Sequence, residues 1–79
     1  MVRIVPVQCW LAREALGWSV HDLARAAEVS AKTVVRFECG EALKASTVEM
    51  IQSALEKAGV IFVDANDGGP GVRLRKGSL

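Results

Sequence analysis

The sequence predicts a mostly α-helical fold, four helices followed by a short C-terminal β-hairpin. Three observations carry this prediction. Apolar residues recur at helical spacing as far as Ala58, and Gly17, Gly40 and Gly59 stand where helices should stop. Pro6, Ser19, Ser30 and Ser46 stand where helices should start. Beyond Gly59 the period shortens to two and the residues become β-branched and aromatic. At 79 residues the chain is a single folding unit near the lower limit for a self-supporting core. It divides into a helical body, residues 1–58, and a hairpin extension, residues 59–79.

Pro6 suits the first position of helix one, where its missing N–H costs nothing. Cys9, Ala12 and Leu16 share a face, and Gly17 is the left-handed stop. Ser19 caps the second helix, and Asp22 in its first turn suits the positive end of the helix dipole. Leu23, Ala24 and Ala27 form its apolar side. Ser30 caps the third helix, whose Val34 and Phe37 point inward while Lys32, Val35 and Arg36 lie on another side. Residues 41–45 read as a loop, and Ser46-Thr-Val-Glu49 reads as a capping box opening the fourth helix. Val48, Ile51, Leu55 and Ala58 form its buried stripe. Val60–Val63 and Val72–Arg75 read as strands, with the turn-forming run Ala65–Pro70 between them. Val72 and Leu74 lie on one side of the second strand, and Arg73 and Arg75 on the other. The first strand is apolar on both sides, so one of them wants a partner. Residues Val60, Ile61, Phe62 and Val63 are therefore candidates for a homodimer contact, and Val2 and Ile4 for a further strand. Gly77-Ser-Leu79 is expected to fray.

Composition excludes several functions. The apolar fraction of 51% argues against disorder. No apolar run approaches the ~20 residues a bilayer requires, and the opening residues lack a signal-peptide core, so a cytoplasmic protein without membrane contact is expected. Cys9 and Cys39 are too far apart for a metal-binding pair and are expected to pack as reduced thiols. Trp10 and Trp18 are expected to be packing residues, and His21 an exposed bystander. Asp64-Ala-Asn66-Asp67 echoes a calcium loop, but its twelfth position is Arg75 rather than Glu. Gly68-Gly-Pro-Gly71 lacks the Lys-Ser/Thr of a phosphate loop. No acid–base pair, nucleophile or metal cluster emerges, so neither catalysis nor a cofactor is expected. Net charge is +1, and residues 1–58 carry equal numbers of cations and anions.

Residues 19–40, two short helices joined by a tight turn, have the pattern of a helix-turn-helix. A third helix anchored from behind and polar in front can enter the major groove of duplex DNA, while the N–H groups at the start of the second can receive a phosphate. Leu23-Ala24, Val29-Ser30, Thr33-Val34 and Glu38-x-Gly40, with Arg13 and the Trp18-Ser19 that follows Gly17, resemble the Cro/repressor-type (XRE-like) helix-turn-helix family across residues 6–58. The tail, Gly59-Val-Ile-Phe-Val-Asp64 and Gly69-Pro-Gly-Val-Arg-Leu-Arg-Lys76, is similar to that of small bacterial members. The resemblance implies a lambda-repressor-like four-helix domain over residues 1–58, with strands in place of the fifth helix of larger members. It also implies that Ala31, Lys32, Val35 and Arg36 read base edges, that Thr33 and Lys44 touch phosphates, and that Arg13 and Glu38 form a partly buried ion pair. Two positions depart from the family pattern: Val20 stands where a phosphate-binding Gln is usual, and Ala31 replaces a frequent polar reader.

The function expected is sequence-specific regulation of transcription, as a repressor dimer on a palindromic operator in double-stranded DNA. The alternative is a protein-interaction or antitoxin-like module with a protein partner and weak or lost DNA binding.

Overall fold

The computed structural model describes residues 3–63 and 70–75. Val2, most of the turn-forming run and the C-terminal Gly77-Ser-Leu79 lie outside the described residues. Helices α1 (Pro6–Leu16), α2 (Val20–Ala27), α3 (Ala31–Glu38) and α4 (Ala45–Lys57) precede strands β1 (Val60–Val63) and β2 (Gly71–Leu74). The strands form a two-stranded antiparallel sheet in which Val60 pairs with Leu74 and Val63 with Gly71. Helix α2 packs on α3 and α4, the sheet rests on α1 and α4, and the radius of gyration, 11.5 Å, is that of one packed body of this length.

One core unites these elements. Cys9 and Ala12 from α1, Leu23, Ala24 and Ala27 from α2, Val34 and Phe37 from α3, and Val48, Ile51, Ala54 and Leu55 from α4 are buried together. Val60 joins them from β1, and Phe62, Val72 and Leu74 press on the cluster from the sheet. The alternation of the strands therefore places one apolar face of the hairpin over the helices and turns Ile61 and Arg73 outward.

Helices α1, α2 and α3 end in the same way. The chain turns through a left-handed residue, and the N–H of that residue and the N–H of the next one close back on the last turn. At α1 that residue is Gly17, φ 70°, with the Trp18 N–H donating to the Arg13 carbonyl at 2.9 Å. At α3 it is Gly40, φ 94°. At α2 it is Glu28, φ 59°, a conformation that costs a side chain bearing a Cβ about 1–2 kcal/mol.

Several sequence expectations need correction. Helix α4 starts at Ala45, and its N-cap is Lys44, with no side-chain cap. Ser46 lies inside the first turn, so the expected Ser46–Glu49 capping box does not form. Leu43 and Val48, flanking the N-cap, both join the core, and this hydrophobic staple sets where the helix begins. Strand β2 spans Gly71–Leu74 rather than Val72–Arg75, although the Arg75 N–H still donates to the Gly59 carbonyl at 2.6 Å, in register with the pairing of Val60 and Leu74. Ile4 forms no strand; it is buried, and its N–H donates to Gln52 Oε1 at 3.0 Å. Trp10 is 47% exposed, since it occupies the side of α1 opposite Cys9 and Ala12. Cys39 is exposed past the end of α3, whereas Cys9 is buried.

Candidate nucleic-acid interface

Helix α3 is fixed at its start, its end and its back. Ser30 Oγ accepts the Thr33 N–H at 3.1 Å and shares a 2.8 Å hydrogen bond with Thr33 Oγ1. At the other end the Gly40 N–H donates to the Phe37 carbonyl and the Glu41 N–H to the Arg36 carbonyl, both at 3.0 Å. From behind, Val34 and Phe37 sink into the core.

A bidentate ion pair adds a fourth constraint. Arg13 Nε and Nη2 donate to the two carboxylate oxygens of Glu38 at 2.8 and 2.9 Å, and Nη1 donates to the Trp18 carbonyl at 3.0 Å. Both side chains are nearly enclosed, at 11% and 12% exposure. Cys9 Sγ donates to Glu38 Oε2 at 3.3 Å. Burial, reinforced by this bond to a carboxylate, pushes the Cys9 thiol well above its ordinary range, so it stays protonated. The Glu38 carboxylate in turn raises the Arg13 guanidinium further. The ion pair fixes α3 relative to α1 and lies behind the exposed side of α3.

That exposed side carries Lys32, Val35 and Arg36. Lys32 and Arg36, four residues apart, share one flank, and Val35 is 46% exposed beside them. The remaining residues singled out by sequence differ in placement. Ala31 is half-buried and rests on the core, so it does not project as expected. Thr33 is half-buried with its hydroxyl engaged by Ser30. Lys44 is exposed, and its carbonyl accepts the Thr47 and Val48 N–H groups at 3.0 and 3.1 Å.

The start of α2 is capped by Ser19, with Asp22 in the first turn, as the sequence predicts. Ser19 Oγ accepts the Asp22 N–H at 3.1 Å, and Asp22 Oδ2 accepts the Ser19 N–H at 2.9 Å. This reciprocal box lowers the Asp22 carboxyl below its usual value. The chain thus supplies its own anion at this helix end, which disfavours the phosphate expected there.

Two residues that carried no sequence signal take part. Glu41 Oε2 stands 3.9 Å from Arg36 Nε. Gln8 is fully buried, and its Nε2 donates to the Val63 carbonyl at 2.9 Å and the Gly71 carbonyl at 3.1 Å, joining α1 to both strands. Its Oε1 accepts the Val5 N–H at 3.0 Å.

Of the four residues assigned to a dimer contact, Val60 is buried and Phe62 packs on the core, so both serve the monomer. Ile61, at 40% exposure, and the half-buried Val63 remain on the outer face. Among the described residues, no three His, Cys, Asp or Glu side chains gather as a metal site would need. No described helix is long and apolar enough to cross a membrane.

The sequence matches no protein-family model and no curated protein.

Proposed function

We propose that this protein is a sequence-specific DNA-binding transcriptional regulator, a repressor acting as a dimer on a palindromic site, with α2 and α3 as its helix-turn-helix. The observation that carries this reading is the two-sidedness of α3. Its back is locked by Val34, Phe37 and the Arg13–Glu38 pair, while Lys32, Val35 and Arg36 stand out on the other side. A short helix so held suits the major groove, about 12 Å wide. Arg36 offers a bidentate donor pair to guanine O6 and N7, Val35 offers methyl groups to a thymine methyl, and Lys32 donates to a base edge or a phosphate. Lys44, at the start of α4, is the candidate phosphate anchor. With a net charge of +1, affinity has to come from placed charges and from a second copy. Two copies of α3 about 34 Å apart would meet successive major grooves.

The test is duplex binding across a salt series, using sequences selected by the protein from a random pool. The expected result is a steep fall of log affinity with log salt, and a loss of about tenfold to a hundredfold on the selected duplex for Arg36→Ala. A flat salt response with unchanged affinity for Arg36→Ala would sink the reading.

The half-exposed Val7 and Trp10, three residues apart on α1, favour a second reading, a protein-interaction or antitoxin-like module. That reading predicts loss of partner binding for Trp10→Ser and no response to Arg36→Ala.

A further inference from the structure

We propose that the outer side of α1 is a docking surface for a second copy of this chain, the two helices pairing antiparallel through the same residues. Val7 and Trp10, at 46% and 47% exposure, stand on the side of α1 turned away from Cys9 and Ala12. Leu11, half-buried, lies outside the core cluster, and Glu14 is exposed. Positions 7, 10, 11 and 14 have the spacing of one helical stripe, two turns long. Among the described residues, α1 is hydrogen-bonded to the hairpin through Gln8 and to α3 through Cys9 and Arg13, all on other sides of the helix. A tryptophan held half in water on a packed helix is the kind of side chain that anchors contacts between proteins.

The stripe is complementary to itself. A two-fold axis between Trp10 and Leu11 sets Trp10 against Leu11 of the second copy, and Glu14 against Val7 of the second copy. Val7 and Glu14 lie about 10 Å apart along the helix axis, one on each side of that centre. Val7 belongs to the first turn of α1, where unsatisfied N–H groups make the helix end positive. Helix α2 supplies Asp22 to its own start, but α1 has no acidic residue in its first turn. Glu14 of a second copy brings that anion, and the symmetry makes the contact twice. A parallel pair would set Glu14 beside Glu14, so charge selects the antiparallel arrangement. An unrelated apolar helix lacks the matched charge, which is why a second copy is the occupant that fits. The stripe is only two turns long, so association belongs in the high micromolar range. This docking supplies the second copy that the DNA-binding reading requires, yet it holds or fails independently of duplex binding.

The test is sedimentation of the full chain, without DNA, at high micromolar concentration. Wild type should sediment as a dimer. Trp10→Ser should weaken association by about tenfold or more. Glu14→Lys should weaken it by about threefold to tenfold, since two helix-end contacts change sign at once. Both variants should keep thermal midpoints within a few degrees of wild type at low concentration, because neither side chain is part of the core. Val7→Glu should also dissociate the dimer by placing an anion opposite Glu14. The double variant Val7→Glu/Glu14→Lys should associate more tightly than either single variant, a recovery that a purely structural role of these residues does not give. Ile61→Asp, on the outer face of the hairpin, should leave the dimer intact. A monomeric wild type, a dimer indifferent to Trp10→Ser and Glu14→Lys, a double variant no tighter than the singles, or a dimer lost only with Ile61→Asp overturns the proposal. None of these outcomes decides the Arg36→Ala test of DNA binding.

Discussion

Glu38 illustrates how much a single side chain can organise. Its carboxylate accepts two hydrogen bonds from Arg13 and one from Cys9, so α1 and α3 meet at one charged point. Replacing it with Ala would strand the nearly enclosed Arg13, and removing one partner of such a pair costs about 3–5 kcal/mol. Urea denaturation of Glu38→Ala should show a midpoint lowered to match, with the slope preserved. A loss below about 1 kcal/mol would mean that Arg13 finds solvent without disturbing the fold. Little of this point was legible in residue spacing. Arg13 and Glu38 are far apart in sequence, and only the family resemblance paired them. Gln8 gave no signal at all, because a glutamine in an amphipathic helix reads as surface. Its burial depends on two strand carbonyls that meet only after the hairpin folds over α1.

The helices themselves were the most legible level, and their ends show why. Gly17 and Gly40 stop α1 and α3, and each takes the left-handed conformation that glycine adopts at little cost. Helix α2 stops in the same geometry at Glu28, where residue type gave no warning. Its end could be inferred only from Ser30 capping the next helix. Glu28→Gly should therefore stabilise the protein, by about 0.5–1 kcal/mol once glycine's greater freedom in the unfolded chain is counted. A rise in the thermal midpoint would show it, and a fall would mean that Glu28 makes a favourable interaction that offsets its strain. The start of α4 was misplaced for the complementary reason. Ser46-x-x-Glu49 satisfies the local pattern, but burial of Leu43 and Val48 decides where the helix begins. Local chemistry located the ends marked by a glycine or a capping serine, and gave no sign of the α2 stop at Glu28 or of the α4 start set by packing.

Across the whole molecule, the hairpin acts as a cover. Val60, Phe62, Val72 and Leu74 close the core between α1 and α4, while Ile61, Val63 and Arg73 face outward. The alternation of the second strand made this division readable in advance. The number of core residues the helices needed from β1 was not readable, so all four of its residues were assigned to a dimer contact. The two faces should respond differently to a charge. If the outer face pairs two copies, Ile61→Asp should leave the thermal midpoint within a few degrees and convert a dimer to a monomer in sedimentation at high micromolar concentration. Phe62→Asp should unfold the chain. A wild-type monomer under those conditions would leave the outer face without that role.

The unequal placement of the two cysteines gives the protein a built-in clock. An alkylating reagent should modify Cys39 at once and reach Cys9 only when α1 lifts away from α3. The rate of the second, slow labelling event then measures how often the molecule opens, and any ligand that binds only the closed form should slow it in proportion to how tightly that form is held.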